Sequence, residues 1–230
     1  MSKKDNTGLI ISILIAAVLV SSSIVFYALM SSSKPVNPEA DSRPSLEYGQ
    51  QINNSMEELA DDDYFLGSED APLTVVEFSD YACYWCQEFH SKVFKQFKEE
   101  FIDKGIVKFV YRDFPAKGDA SIISALGANC AASQGDAETY FNFHDKIFET
   151  AALDRASILE IAKDMSLNIE DFEKCLDDPN SIAEIKKDYD DALSLGVKGT
   201  PNFIVNGYVI PGFLEFDAFK AELNKVLNAG

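Results

Sequence analysis

The chain has 230 residues, with 20 Lys plus Arg against 38 Asp plus Glu and a formal net charge of −18. A surface this acidic repels phosphate backbones and anionic membrane surfaces, which argues against a nucleic-acid partner. Apolar residues at 47% and aromatics at 12% exclude global disorder, and four cysteines are too few for a small disulfide scaffold.

The N-terminal eight residues carry Lys3 and Lys4. Residues 9–30 then run without a charged side chain. As a helix this stretch reaches about 33 Å, enough for a bilayer core of about 30 Å. We read it as a transmembrane anchor; the competing reading is a cleaved signal peptide, with Ser21 to Ser23 as the cleavage region. The run is longer than a usual signal core, and no Ala-x-Ala pattern closes it. The lysines place the N-terminus in the cytoplasm and the rest of the chain outside the cell membrane, against a weak opposing pull from Lys34 and Arg43. A mean hydropathy of −0.08 leaves room for one span, not for many. Residues 31–62 are polar and hold Pro35, Pro38 and Pro44, so they read as an extracytoplasmic linker with a short helix near 55–60. Asp61 to Asp63 read as a solvated acidic run.

Residues 63–230 form the expected folded domain. Leu73 to Ser79 is a short β-branched and aromatic run, hence a buried strand. From Cys83 to about Asp103, Cys86, Phe89, Val93, Phe94, Phe97 and Phe101 recur at helical spacing, and Gly105 ends the helix. Ile106 to Arg112 is a second strand, so strand, helix and strand make a βαβ unit with parallel strands. Helical patterns follow over 121–133, 140–148, 157–165 and 169–176, the last capped by Asn168. A further helix carries Ile182, Ile185, Tyr189 and Leu193, with Asn180 or Ser181 as its cap and Gly196 as its end. Asn202 to Val205 and Tyr208 to Ile210 flank Asn206-Gly207, the strongest short signal for a β-hairpin. Glu215 to Leu227 is the last helix, with Phe216, Phe219, Leu223, Val226 and Leu227 facing inward. The fold class is α/β.

Cys83-Tyr84-Trp85-Cys86 is a C-x-x-C at a strand-to-helix junction. In the first turn of a helix, residues i and i+3 share a face, so the two sulfurs can bond. Unpaired N–H groups and the positive end of the helix dipole stabilise a thiolate at Cys83. Cys83 is the candidate nucleophile and Cys86 the resolving thiol. A zinc site is the rival reading, but it needs a second cysteine pair, and Cys130 and Cys175 are single.

EFSDYACYWCQEFH, a long helical stretch and then GVKGTPNFIVNGYVIPG together resemble the DsbA-like proteins of the thioredoxin fold, from about Phe65 to the C-terminus. The resemblance implies a thioredoxin fold with an inserted helical domain at about 117–196. It implies a redox pair at Cys83 and Cys86, and a cis bond between Thr200 and Pro201 that presents the Thr200 backbone to an extended substrate peptide. It implies that Glu77 is the buried acid beneath the pair, relaying the Cys86 proton with a raised pKa. The alternative for Glu77 is a solvent-facing strand position. Tyr84 and Trp85 replace the proline and the histidine or tyrosine usual between such cysteines. We expect them to contact substrate, and we expect a milder oxidant without the histidine. Cys130 and Cys175, both in the insertion, read either as two buried thiols or as a structural disulfide. Some members of the family hold a disulfide in the insertion, and we favour one here. Its loop of about 46 residues would be worth about 4 kcal/mol. His144, with no identifiable partner, reads as structural.

The expectation is therefore a membrane-anchored, extracytoplasmic thiol-disulfide oxidoreductase. It would oxidise exported proteins with free thiols, be reoxidised by a membrane partner, and need neither cofactor nor metal. The alternatives are a disulfide isomerase or reductase of the same fold, or a peptide-binding module without catalysis.

Overall fold

The structure, a computed structural model, describes residues 45–53, 56–60 and 63–229. The segment 9–30 lies outside these. Among the described residues no helix is long and apolar enough to cross a membrane.

The centre of the fold is a five-stranded sheet. Its strands are β1 (Phe65–Leu66), β2 (Leu73–Ser79), β3 (Val107–Asp113), β4 (Asn202–Val205) and β5 (Tyr208–Pro211), in the order β1-β3-β2-β4-β5. β2 and β3 pair in parallel, Leu73 opposite Val107 through Ser79 opposite Asp113, and the other pairings are antiparallel. The β2 side chains are almost wholly buried on both faces, as a central strand requires. The Asn206-Gly207 hairpin forms with positive φ at both residues (46° and 84°), the backbone that a two-residue turn between twisted strands demands.

The helix between β2 and β3, α1 (84–102), is not uniform. It starts as an α-helix at Tyr84–Phe89, widens to a π-helix at His90–Phe94, tightens at Lys95–Phe97 and widens again at Lys98–Ile102. Phe89, Val93, Phe94, Phe97 and Phe101 from the sequence pattern are all buried, and Gly105 ends the run with φ +69°. Between β3 and β4 come α2 (Asp119–Ala132), α3 (Ala137–Glu149), α4 (Arg155–Asp164), α5 (Ile169–Asp177) and α6 (Ala183–Leu195). Side chains of Asp136, Asp154 and Asn168 cap α3, α4 and α5 by accepting backbone N–H bonds. α7 (Phe216–Leu227) buries Phe216, Phe219 and Leu223, while Val226 and Leu227 are half-buried.

Three expectations change. The linker reading of residues 31–62 fails in its second half. Leu46, Ile52, Leu59 and Ala60 are buried in the same apolar cluster as Val76, Phe78, Val110 and Ile204. Backbone bonds tie Leu46 to Gly196, Gly49 to Val209 and Ile52 to Gly207, so the segment extends the packed domain toward its N-terminal side. Asp63 is not a solvated acid. Its side chain is 7% exposed and lies 3.2 Å from Arg112, a buried guanidinium that also pairs with Asp188 and Asp191 of α6. The helix after α5 is capped neither by Asn180 nor by Ser181. Asp178 accepts from Asn180 N and opens a 3₁₀ turn, Pro179–Ile182, which leads into α6. Gly196 then ends α6 in the left-handed region, φ +93°.

Candidate active site

The site is assembled where β2 gives way to α1. Asp80, the first residue past β2, is buried and shapes the turn. One of its carboxylate oxygens accepts from Ala82 N at 2.9 Å, the other from Ala116 N at 2.8 Å, and its carbonyl accepts from Cys83 N. An acidic side chain that bonds the backbone two residues on is a turn-former in its own right. Cys83 thereby stands as the N-cap of α1, with extended backbone and no side-chain cap bond, so its sulfur faces the open N–H end of the helix.

The two cysteines of the motif are unbonded and unequal. Cys83 is 6% exposed; Cys86, one turn deeper, has no exposed surface. The Cys83 thiol pKa is lowered to about 5. The first cause is a hydrogen bond from the Cys86 thiol; burial opposes it, and Thr200 and the N–H groups of Cys86 and Trp85 add to it. Cys86 is pushed strongly upward, first by burial, then by the Cys83 hydrogen bond and the Glu77 charge.

Across the cleft lies the loop before β4. The Thr200-Pro201 bond is cis, and the Cys83 thiol is within 3.4 Å of the Thr200 carbonyl. Gly212 N, at the end of β5, donates to Pro201 O at 2.8 Å and fastens the loop to the sheet. A pocket of about 240 Å³ opens beside it, lined by Ser45, Leu46, Lys198, Thr200, Pro201 and Gly212. Tyr84 and Trp85 rim the cleft, 59% and 52% exposed. Trp85 stacks on Phe213 with ring centroids 5.7 Å apart. Sequence reasoning missed Phe213 and the N-terminal wall of the pocket.

Glu77 sits in the middle of β2, opposite Tyr111 on β3 and Phe203 on β4, with no exposed surface. The solvent-facing alternative is thus overturned. Neither carboxylate oxygen has a close hydrogen-bond partner, and the Ser79 hydroxyl and His144 only partly offset the effect of burial. Burial raises its pKa to about 7, so it can hold or release a proton near neutral pH. His144 is not without a partner, as the sequence reading had it. Its Nδ1 lies 3.0 Å from Asp145 Oδ1, and its ring packs against His90.

The remaining cysteines, Cys130 on α2 and Cys175 on α5, form a disulfide with Cα atoms 5.7 Å apart. They cannot complete a zinc site with Cys83 and Cys86.

Comparison with known proteins decides the family. A family model described as Thioredoxin matches residues 59–225. Disulfide bond formation protein D of Bacillus subtilis (strain 168) is 32% identical over 169 residues, covering 70% of this chain and 76% of that protein. The chain belongs to the DsbA-like oxidoreductases of the thioredoxin family. The crystal structure of oxidised BdbD from Bacillus subtilis superposes with a TM-score of 0.70 at 29% identity, over 80% of this chain and all of that one. Wolbachia pipientis alpha-DsbA1 gives 0.66 at 26% identity, over 73% and 92%. The protein is a thiol-disulfide oxidoreductase with a thioredoxin-like α/β fold and a helical insertion.

Proposed function

We propose that the chain oxidises cysteine pairs of exported proteins, on the outer side of a membrane to which residues 9–30 anchor it. The observation that carries this reading is the inequality of Cys83 and Cys86. A sulfur that lies outermost of the pair at the cleft and is stable as thiolate is a good leaving group and the electrophile a substrate meets first once the pair is bonded. Its buried partner is a poor thiolate and stays protonated when released.

The reaction follows from that inequality. A substrate thiolate attacks Cys83 Sγ of the oxidised pair; the Cys83–Cys86 bond breaks, and Cys86 leaves with the electron pair and takes a proton, with Glu77 as the donor. A second substrate thiolate attacks the substrate sulfur of this mixed disulfide, and Cys83 leaves as thiolate. The substrate gains one disulfide and the pair gains two electrons. Thr200 presents backbone groups to an extended substrate segment, Pro201 faces the pair, and Tyr84 and Trp85 supply an apolar rim. A membrane partner accepts the two electrons and restores the disulfide. The Cys130–Cys175 bond supports an oxidising compartment, where such bonds persist.

The test is the reduction potential of Cys83–Cys86, equilibrated against glutathione with thiol counting by mass spectrometry. An oxidase lies toward the DsbA end of the range, about −120 mV, and a reductase near the thioredoxin end, about −270 mV. An intermediate value passes the decision between oxidase and isomerase to a refolding assay. A pair that does not exchange with glutathione leaves a peptide-binding module.

A further inference from the structure

Beneath Cys86 lies a set of buried polar atoms, of which the reaction above uses only the Glu77 carboxyl. Both Glu77 oxygens, His90 Nε2 and His144 Nε2 are buried there without a close hydrogen-bond partner. Unpaired buried polar atoms are costly, and apolar side chains of the same shape would fill this core better. Their placement follows a line. His90 Nε2 is 3.6 Å from Glu77 Oε2. The His90 and His144 rings meet edge to face with centroids 4.7 Å apart. One nitrogen from each ring and one Asp145 oxygen lie within 4.8 Å of one another. His144 Nδ1 contacts Asp145 Oδ1 at 3.0 Å, and the Asp145 side chain is 47% exposed. The line runs from a fully buried carboxyl to the surface.

We propose that His90 and His144 join Glu77 to Asp145, carrying the proton that Cys86 takes up on reduction and returns on reoxidation. The proposal rests on the Cys83–Cys86 reading above and extends it to the proton's route. On reduction, Glu77 gives its proton to Cys86 and is refilled from solvent through Asp145, His144 and His90. On reoxidation, the Cys86 thiol gives its proton back to Glu77 and attacks the mixed disulfide at Cys83, whose outer sulfur leaves with the electron pair. The same path then delivers that proton to water. A neutral imidazole suits the task, since one nitrogen accepts while the other releases. Burial keeps both histidines neutral, lowering His90 to about 3 and His144 to about 4. A small ring rotation or one bridging water would bring these groups within hydrogen-bond reach. The π-helical widening of α1 begins at His90, and such widenings in helices often sit at functional positions. Other titratable groups facing the path are the Tyr81, Tyr111 and Tyr140 hydroxyls, all held protonated by burial, and Lys98 near Asp145.

The experiment is stopped-flow exchange of the full chain, in mild detergent, with oxidised and reduced glutathione. It follows Trp85 fluorescence from pH 5 to 9 in ordinary and deuterated water. His90→Phe is expected to slow the Cys86 step about ten-fold at pH 7, while the glutathione equilibrium moves less than about two-fold. In a Glu77→Gln background the same change is expected to add less than about two-fold, because one route cannot be cut twice. Asp145→Asn, at the surface, slows the step about three-fold and keeps the test open if His90→Phe does not fold. A His90→Phe rate equal to wild type overturns the route. So does the same slowing in both backgrounds, which marks a packing role. If the wild-type pair fails to exchange at all, the Cys83–Cys86 reading falls first and the route with it.

Discussion

Two cysteine pairs in one chain have opposite fates. Cys130 and Cys175 are 45 residues apart, on two helices of the insertion, and are bonded to each other. Cys83 and Cys86 sit on one helical turn and are free thiols. In the distant pair Cys130 is wholly buried, and the Cys175 sulfur has the Ser181 hydroxyl 3.5 Å away. The near pair places one sulfur at a helix N-terminus and the other over a buried carboxyl. Sequence spacing does not decide which pair is reactive. Reactivity comes from the asymmetry of the electrostatic surroundings, which a structural bond between two inert helices lacks.

The largest effect separates the two pairs outright. Cys83→Ser is expected to reduce exchange with glutathione to background while leaving thermal stability nearly unchanged. Replacing Cys130 and Cys175 together by Ala should do the reverse. Exchange persists, but unfolding in urea shows a loss of about 4 kcal/mol from the freed loop. For a domain of this size that lowers Tm by roughly 8–16 °C. If the double replacement abolished exchange at a temperature where the domain is folded, the division between a reactive and a structural pair would not stand.

Glu77 sharpens the comparison next, because its charge acts directly on Cys86 of the reactive pair. Its carboxyl is raised from the ordinary 4.5 to about 7. A raised carboxyl pKa favours the folded state while the group is protonated. That advantage is complete below the unfolded pKa of about 4.5 and is lost as pH rises through about 7. Glu77→Gln should therefore stabilise the protein at pH 8 by up to about 3 kcal/mol, and by almost nothing at pH 4. The stability gain should come with slower release of the Cys86 proton. Chemical denaturation at the two pH values checks the first, and stopped-flow exchange the second.

The third prediction concerns Cys83 itself. Its alkylation by iodoacetamide should follow a thiolate with a midpoint near pH 5. Cys86→Ala removes the main hydrogen bond and should move that midpoint upward, toward the ordinary thiol value of about 8.5. The depressed pKa also favours the reduced folded protein. That contribution is present above the unfolded thiol pKa and fades as pH falls through about 5, so reduced protein should lose stability over that window.

What was legible in the sequence was local. The C-x-x-C after a buried strand, Glu77 within it, the Thr-Pro pair and the Asn-Gly hairpin all carry their meaning within a few residues. The apolar spacing of α1 and α7 placed those helices to within a residue or two. The rest depends on groups brought together from far apart. His90 and His144 are 54 positions apart, and nothing in either helix pattern says their rings meet. Arg112 collects Asp63 from before the sheet and Asp188 and Asp191 from the last helix of the insertion. In the stretch holding Leu46, Ile52 and Leu59, the short helix expected near 55–60 is a 3₁₀ turn at Glu58–Ala60, and Leu46 and Ile52 before it are spaced by loop geometry. Its membership in the core appears only when the sheet is there to receive it. The bonding of Cys130 to Cys175 is of the same kind: the helices had to be packed before the sulfurs could be seen to meet.

The smallest effect tests where the reactive pair's asymmetry ends. Trp85 lies between the two cysteines in sequence, yet it is half exposed and stacks on Phe213, away from the buried polar atoms. Its backbone N–H supports the Cys83 thiolate, but its indole does not figure among the causes of the shift. Trp85→Ala should leave the alkylation midpoint of Cys83 where it is. Losing the aromatic contact surface should weaken capture of an unfolded, thiol-bearing peptide by about 1 kcal/mol, a rise in KM of about five-fold with kcat nearly unchanged. A shift of the midpoint instead would mean that the indole shields the sulfur from water. The rim would then belong to the electrostatics of the pair and not to substrate recognition alone.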